Sequence, residues 1–517
     1  METCCATTSE ATIESTASPC CGPAVSVAEG HSCCDHAAQN EAVAAGASCC
    51  DAAGTPDSSA SPQPASVPMS GHGYPVVVVG AGPVGLAAAA HLAERGLEFV
   101  VLEAGSSVAP SIEQWGHVRL FSPWRHDIDG AAGRLLDAAG WSPPDMRELP
   151  TGAQLIDAYL TPLAKLPILT ARIRFAMQVT GITRLGFDRV RSAGREGAPF
   201  VVRVAGEPDI LARAVIDASG TWRTPNVLGA YGLPAHGEAQ AVGLGRIVPA
   251  LPDVLGSDRA LFAGRRIVVV GTGHSAATTL LALVELAAQA PGTQPMWAMR
   301  GLAPGRVFGD GEVDPLPARG ALGRRLHSKV ESGAVELVAG FHTHAVEMDG
   351  DRVVLLGRDL DGREERLAAD LVVNATGFRP DHTLAAELRL DLDPILGSTR
   401  ALAPLIDPNH HSCNTVPPHG VDELTHPEPG YYAVGVKSYG RAPTFLLATG
   451  YEQVRSVVAA LAGDWDAARR VELNLPAAGA CSSVPVESFV GAADPGDGRQ
   501  ALSLVEATTD AGAGGCC

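Results

Sequence analysis

The sequence predicts an α/β protein built on buried parallel strands, and three observations carry that expectation. Residues Val76–Val79 are four consecutive valines, the apolar run that a strand covered on both faces requires. The chain then passes through Gly80-Ala-Gly82-Pro83-Val84-Gly85 directly into an alanine-rich helix. The same order returns later, as Ile267–Val270, then Gly271-Thr272-Gly273-His274-Ser275-Ala276, then a helix to about Ala290.

Each glycine of the first turn has a physical task. Gly80 permits the tight turn, Gly82 lets backbone N–H groups reach a pyrophosphate, and Gly85 lets the helix pack closely on the strand. The helix N-terminus adds positive dipole for that anion. A second strand, Leu97–Leu102, ends in Glu103, 23 residues after Gly80, where an acid can accept hydrogen bonds from ribose hydroxyls. The alternative is a membrane span, because Val76–Ala93 holds 18 residues without Asp, Glu, Lys or Arg. Three glycines and a proline at nucleotide-binding spacing argue against it. The expected fold is therefore two Rossmann-like, three-layer ββα dinucleotide-binding domains with disordered Cys-rich tails.

Composition narrows the partners. The 517 residues carry 38 Lys plus Arg against 57 Asp plus Glu, a net charge of −19. Nucleic acid and anionic membranes are excluded as expected partners on that balance. The N-terminus shows neither a basic n-region nor an apolar h-region, so a cytoplasmic protein is expected. Residues 1–70 hold eight acids, no Lys or Arg and almost no large apolar side chain. Such a segment cannot bury enough surface to offset chain entropy and is expected to be disordered.

Ten of the twelve cysteines form adjacent pairs in the tails: Cys4-Cys5, Cys20-Cys21, Cys33-Cys34, Cys49-Cys50 and Cys516-Cys517. A secreted disulfide framework would spread through the folded part instead. Thiolates select soft acceptors, and reduced pairs on a flexible tether can wrap a soft metalloid. Drift in an alanine-rich low-complexity segment is the bland alternative.

Between the two glycine turns lies a loop, Trp115-Gly-His-Val-Arg119-Leu-Phe-Ser-Pro-Trp124-Arg125-His126, suited to cover a flat ring. The apolar run Ala214–Asp217 then ends in the small residues Ala218-Ser219-Gly220. In the second unit, Met296–Met299 ends at Arg300, where an NAD enzyme would carry an acid; its donor fork suits the 2′-phosphate of NADP, with a plain surface arginine as the alternative. Residues Val335–Asp370 read as short strands returning to that sheet. They lead into Leu371-Val-Val-Asn374-Ala375-Thr376-Gly377-Phe378-Arg379-Pro380, a second strand ending in small residues. A histidine-rich loop follows (His410, His411, Cys413, His419, His426), then Gly435-Val436-Lys437-Ser438-Tyr439-Gly440-Arg441-Ala-Pro443-Thr444. Leu447, Tyr451, Val454, Val458 and Leu461 repeat at helical spacing, so the closing helix packs on a core. The irregular spacing of the loop histidines leaves a metal site and a plain polar loop both open. The expected boundaries are a tail over 1–70, a first domain over 71–261 and again 375–475, a second domain over 262–374, and a tail over 476–517.

This set of motifs resembles the flavoproteins with two dinucleotide-binding domains: thioredoxin and mercuric reductases, and class B flavin-containing monooxygenases. The second glycine turn and Asn374–Pro380 look like the monooxygenase versions, and the Cys-rich tails resemble the flavin monooxygenase-like proteins of bacterial arsenic-resistance operons. The resemblance implies FAD on Gly80, Gly82, Gly85 and Glu103, with Gly435 where the closing strand meets the flavin, and NADPH on Gly271, Gly273, Ser275 and Arg300. Pro83, Val84, Trp124, Gly220, Thr272, His274, Ala276, Gly377, Val436 and Thr444 are the further cofactor-binding candidates. Reductases usually place an Asp after the closing glycine; Val436 stands here, which favours monooxygenases. No cysteine lies between Cys50 and Cys413, so the CxxC-type relay of a disulfide reductase is absent from the two domains. The implied chemistry is a flavin C4a-hydroperoxide, protected by NADP+, that oxygenates a soft nucleophile such as a trivalent arsenical, with O2 and a small molecule as partners. Lys437, Arg441 and Cys413 are the catalytic candidates. The soft-metalloid ligands would be Cys4, Cys5, Cys20, Cys21, Cys33, Cys34, Cys49, Cys50, Cys516 and Cys517, and a homodimer is compatible with the family. The alternatives are an NADPH-dependent flavin reductase of thiol-bound metal or metalloid, and a thiol protein that captures metalloid.

Overall fold

The structure is a computed structural model that describes residues 73–308, 316–359, 361–410, 416–443 and 445–473. The expected tails, Cys413 and Thr444 lie outside the described residues, and with them all twelve cysteines.

Two parallel sheets are built alike. Strands β1 (Val76–Val79), β2 (Phe99–Leu102), β3 (Ile173–Arg174), β7 (Ala214–Asp217) and β16 (Tyr431–Ala433) form the first, in the order β16-β7-β1-β2-β3. The second takes β8 (Ile247–Val248), β9 (Arg266–Val270), β10 (Gln294–Ala298), β11 (Glu336–Val338) and β15 (Leu371–Asn374), in the order β11-β10-β9-β15-β8. In each sheet the strand that feeds the glycine turn lies between its partner in the βαβ unit and the strand that ends in small residues.

The four valines show why a continuous apolar run is needed. Val76 and Val78 pack with helix α1 (Pro83–Glu94) and helix α3 (Leu447–Leu461), whereas Val77 and Val79 face Ile182, Phe200 and Val202. Those last residues belong to an antiparallel sheet of β4 (Val179–Arg184), β5 (Phe200–Val204) and β6 (Ile210–Ala212). Alternate side chains of a strand point to opposite faces, so helices, parallel sheet and antiparallel sheet stack as three layers. The second unit repeats this arrangement. Ile267 and Val269 pack against helix α2 (His274–Gln289), while Val268 and Val270 pack against Val346, Val353 and Leu355. These face residues come from the antiparallel sheet β12 (His342–Asp349), β13 (Arg352–Arg358) and β14 (Glu364–Ala369).

Two details differ from expectation. Of the strands expected to return to the parallel sheet over 335–370, only β11 does so; the others form the separate antiparallel layer because tight turns at 350 and 362 fold them back on each other. Strand β8 also pairs with β15, so the second sheet draws its edge from residues before the second glycine turn. Helix α1 covers only eleven residues of the apolar stretch, and no described helix is long and apolar enough to cross a membrane.

Candidate functional site

The two glycine turns are shaped by the strands beside them. Gly80 has φ +101°, and a Cβ there would lie 2.8 Å from the Ala218 carbonyl oxygen at the end of β7. Gly271 has φ +136°, and its Cβ would lie 2.1 Å from the Ala375 carbonyl oxygen at the end of β15. The small residues at the two strand ends therefore leave room for the turns. By contrast, a Cβ on Gly82 or Gly273 would meet nothing within 4 Å. Those two glycines cap α1 and α2, so each turn opens into free space at the N-terminus of a long helix. That is the geometry of a phosphate cradle.

Glu103 braces the first cradle. Its Oε2 accepts the Ala81 N–H at 2.8 Å and its Oε1 accepts the Gly105 N–H at 2.8 Å. Each oxygen keeps a further lone pair for a ribose hydroxyl. In the second unit Arg300 is exposed and donates from Nη1 to the Ala230 carbonyl at 3.0 Å, the one hydrogen bond its guanidinium makes to a described residue. Thr272 and Gly273 are exposed, and Pro83, His274 and Ser275 half-buried, whereas Val84 and Ala276 are buried under the turns.

The cradles are joined by contacts that have no local sequence signal. Phe121 of the Trp-bearing loop lies 5.0 Å, ring to ring, from His274 in the second turn. Trp222 stands between Trp115 (6.4 Å) and Phe378 (4.7 Å), and its Nε1 donates to Gln114 Oε1 at 2.9 Å. The two chain crossings between the sheets run together. Asn226 N–H donates to Gly377 O at 2.8 Å and Arg379 N–H to Thr224 O at 2.9 Å. Gly220 and Gly377 thus sit where the crossings begin, both at positive φ. Trp124 is only 3% exposed and packs into the first core rather than lying open in the loop.

The closing segment forms the third wall. A Cβ on Gly435 (φ +70°) would come within 3.3 Å of the Val84 side chain, and the Gly435 N–H donates to Gln453 Oε1 of α3 at 2.8 Å. Gln453 Nε2 in turn donates to Ser438 Oγ and to His419 Nε2, while His419 Nδ1 donates to Pro417 O. His419 is thereby fully engaged as a strut. Val436 is 37% exposed, and Arg441 is exposed, with no hydrogen bond from its guanidinium to another described residue. Lys437 points the other way. It is 1% exposed and binds Asp217 Oδ2 at 2.6 Å and Ser219 Oγ at 3.1 Å. Tyr431 Oη donates to the same Asp217 oxygen at 2.9 Å. Burial alone would raise the Asp217 carboxyl, but the Lys437 ammonium and the Ser219 donors outweigh it and hold the group below the usual carboxylate range.

Among the histidines of the loop, His419 and His426 are separately buried and His410 is exposed; no group of three or more His, Cys, Asp or Glu is placed to hold a metal ion among the described residues. Cys413, like the ten paired cysteines, lies outside them.

Burial, with the neighbouring His382, pushes the His426 imidazole down to about 4. Its unfolded value is about 6.5, so below that pH the unfolded chain takes up a proton that the fold refuses. Stability attributable to this group is complete above pH 6.5 and is lost as pH falls toward 4, by about 2 kcal/mol at pH 5. Denaturant midpoints at pH 7 and pH 5 should differ accordingly, and His426→Gln should narrow the difference.

A sequence profile of the family described as pyridine nucleotide-disulphide oxidoreductase matches residues 77–416. No curated protein matches the chain. Among solved structures, the fold is similar to bacillithiol disulfide reductase from Bacillus cereus (TM-score 0.55, 18% identity, covering 75% of this chain and 99% of that one). It is equally similar to the FAD-bound cadaverine monooxygenase DfoA of Erwinia amylovora (TM-score 0.55, 14% identity, 78% and 97%). The ornithine N-hydroxylase KtzI of Kutzneria sp. 744, with reduced FAD, NADP+ and ornithine, follows at TM-score 0.51, 18% identity, 75% and 99%.

Proposed function

Since the chain belongs to the pyridine nucleotide-disulphide oxidoreductase family, we propose that it is an FAD- and NADPH-dependent monooxygenase. One observation carries the choice of chemistry: no cysteine lies between Cys50 and Cys413, so the two domains hold no dithiol to relay electrons from a flavin. Two of the similar folds are the cadaverine monooxygenase DfoA, bound to FAD, and the ornithine N-hydroxylase KtzI, bound to FAD and NADP+, which supports the same pair of cofactors here.

The residues fit both groups. The Gly82 cradle, braced by Glu103, would hold the FAD pyrophosphate and ribose, and the Gly435–Val436 turn would close on the ring. The Gly273 cradle and Arg300 would hold NADPH. When bound, NADPH would supply a hydride and the reduced flavin would activate O2 for transfer to the substrate. The chain's own part is placement and exclusion of water: Phe121, Trp115, Trp222 and Phe378 wall the junction between the cradles. Arg441, exposed at this end, contacts substrate or nicotinamide. Lys437 positions the closing turn through Asp217 and touches no substrate.

The substrate is a soft nucleophile, and the paired tail cysteines favour a trivalent arsenical that they would gather for the flavin domain. The test is NADPH and O2 consumption by the purified protein with methylarsenite or arsenite. Stimulated consumption with transfer of one oxygen atom to arsenic supports the reading. Thiol-dependent arsenite binding that survives removal of FAD, without stimulated turnover, favours a capture protein instead.

Cofactor preference gives a separate prediction. Loss of a charge-assisted, forked contact to a phosphate costs about 1.5–3 kcal/mol. Arg300→Ala should raise the apparent KM for NADPH roughly tenfold or more and leave that for NADH nearly unchanged. Equal use of the two nucleotides by the unaltered protein would remove Arg300 from the site.

A further inference from the structure

One member of the histidine-rich loop reaches the closing turn, and every step of that reach is a hydrogen bond. The Gly435 N–H donates to Gln453 Oε1 at 2.8 Å. A backbone N–H can only donate, so this contact fixes which end of the Gln453 amide faces the turn. The other end, Nε2, donates to Ser438 Oγ at 2.9 Å, and Ser438 Oγ donates back to the Gly435 carbonyl at 2.7 Å. Both backbone groups of Gly435 are thus held in one closed ring of hydrogen bonds.

The second Nε2 proton of Gln453 goes to His419 Nε2 at 3.0 Å. His419 therefore accepts there, and its ring proton sits on Nδ1, where the Pro417 carbonyl takes it at 3.1 Å. Both ring nitrogens are engaged, so His419 is not open to a metal ion. His419, Ser438 and Gln453 are all buried. The ring of hydrogen bonds also lies against the first cradle. A Cβ on Gly435 would come within 3.3 Å of the Val84 side chain, and one on Gly450 of α3 within 2.7 Å of it. Val84 belongs to the first turn of α1, whose N-terminus forms that cradle.

We propose that His419 positions the turn that closes on the flavin: its neutral ring sets the Gln453 amide, and the amide sets Gly435. A proton taken from solvent at His419 Nε2 puts two donors face to face across 3.0 Å. Relief requires the Gln453 amide to turn over, which sets its NH2 group against the Gly435 N–H and breaks the ring. The turn then loses its hold on α3 beside Val84. Around His419, Tyr439 lies 5.5 Å away, ring to ring. Glu423 acts on it from the short helix Val421–Leu424, and Glu452 from α3, where Arg455 pairs with that carboxylate. Lys437, in the same turn, is committed to Asp217. Burial lowers the His419 imidazole, and the Pro417 carbonyl and the two carboxylates offset this only in part. The ordered turn is therefore complete above the unfolded value of about 6.5 and is lost as pH falls below it. The bearing on flavin rests on the FAD reading; the hydrogen bonds themselves do not.

The test is amide hydrogen exchange of the full-length protein at about pH 7.5 and pH 5, read by mass spectrometry and corrected for the intrinsic rate. The peptide over Gly435–Tyr439 should lose protection about tenfold at the lower pH, the upper end of the net worth of one hydrogen bond, while Val76–Val79 stays protected. His419→Gln, whose amide oxygen accepts from Gln453 without titrating, should keep the protection at both pH values. Gln453→Leu removes the acceptor at every pH and should show the loss already at neutral pH. Flavin retained through gel filtration should follow the same pattern: released in acid from the native protein, held by His419→Gln. Equal protection of the native turn at both pH values overturns the proposal, and so does the same acid loss in His419→Gln. A loss that spreads to Val76–Val79 is global acid unfolding and also counts against it. Should the Gln variant fail to fold, Gln453→Leu and the comparison of the two native peptides still decide. Exchange as expected with flavin retention unchanged overturns the link to flavin. A protein that purifies without flavin overturns the FAD reading, and the exchange arm still decides the role of His419.

Discussion

Gly85→Ala should strip the protein of most of its bound flavin and lower its stability severely, whereas Gly82→Ala should lose flavin while leaving the fold intact. A Cβ on Gly85 would lie 2.0 Å from the Gly80 carbonyl oxygen and 3.0 Å from its carbon. Both atoms belong to the backbone of the turn, so relief requires the turn to open. Overpacking of a core costs about 1–3 kcal/mol, and a rigid backbone contact belongs at or above the top of that range. A Cβ on Gly82 meets nothing within 4 Å, so the polypeptide tolerates it. The added methyl enters the space at the helix N-terminus where a pyrophosphate would approach, and affinity falls. Flavin absorbance per protein and the denaturation midpoint of each variant separate the two effects. Equal loss of stability in both would contradict the geometry of the cradle.

Lys437→Met should destabilise the protein by about 3–5 kcal/mol, the usual cost of leaving a buried charge without its partner. Asp217 is 0% exposed and Lys437 1%, so neither can recover water where it stands. Tyr431 and Ser219 would remain as neutral donors to the carboxylate and soften the loss only in part. Adding Asp217→Asn to Lys437→Met should recover much of the stability, because the uncompensated charge goes with it. A single variant that loses less than about 1 kcal/mol would mean that the pair is solvated in solution.

How much of this was legible in the sequence follows from the range of each interaction. The two βαβ starts were readable because their requirements are local: valines covered on both faces, glycines at the turn, small residues where a neighbouring strand ends. Even the fit of Ala218 against Gly80, and of Ala375 against Gly271, was foreshadowed by the repeated strand-then-small pattern. Strand β8 was missed because Ile247–Val248 is two residues long and carries no periodicity. Lys437 looked like an available cation in a glycine-rich loop; its partner Asp217 lies 220 residues away, and only the pairing of β16 with β7 brings them together. The same holds for Phe121 on His274 and for Trp222 on Phe378, where aromatic residues in separate loops meet across the two chain crossings.

The most direct test of the proposed chemistry is an anaerobic titration of the full-length holoprotein with NADPH, followed by its absorbance spectrum. A monooxygenase without a dithiol relay takes up one equivalent of NADPH per FAD, and its flavin bleaches with no long-wavelength thiolate–flavin band. Uptake of two equivalents, with such a band appearing midway, would contradict the account and make the protein a disulfide reductase.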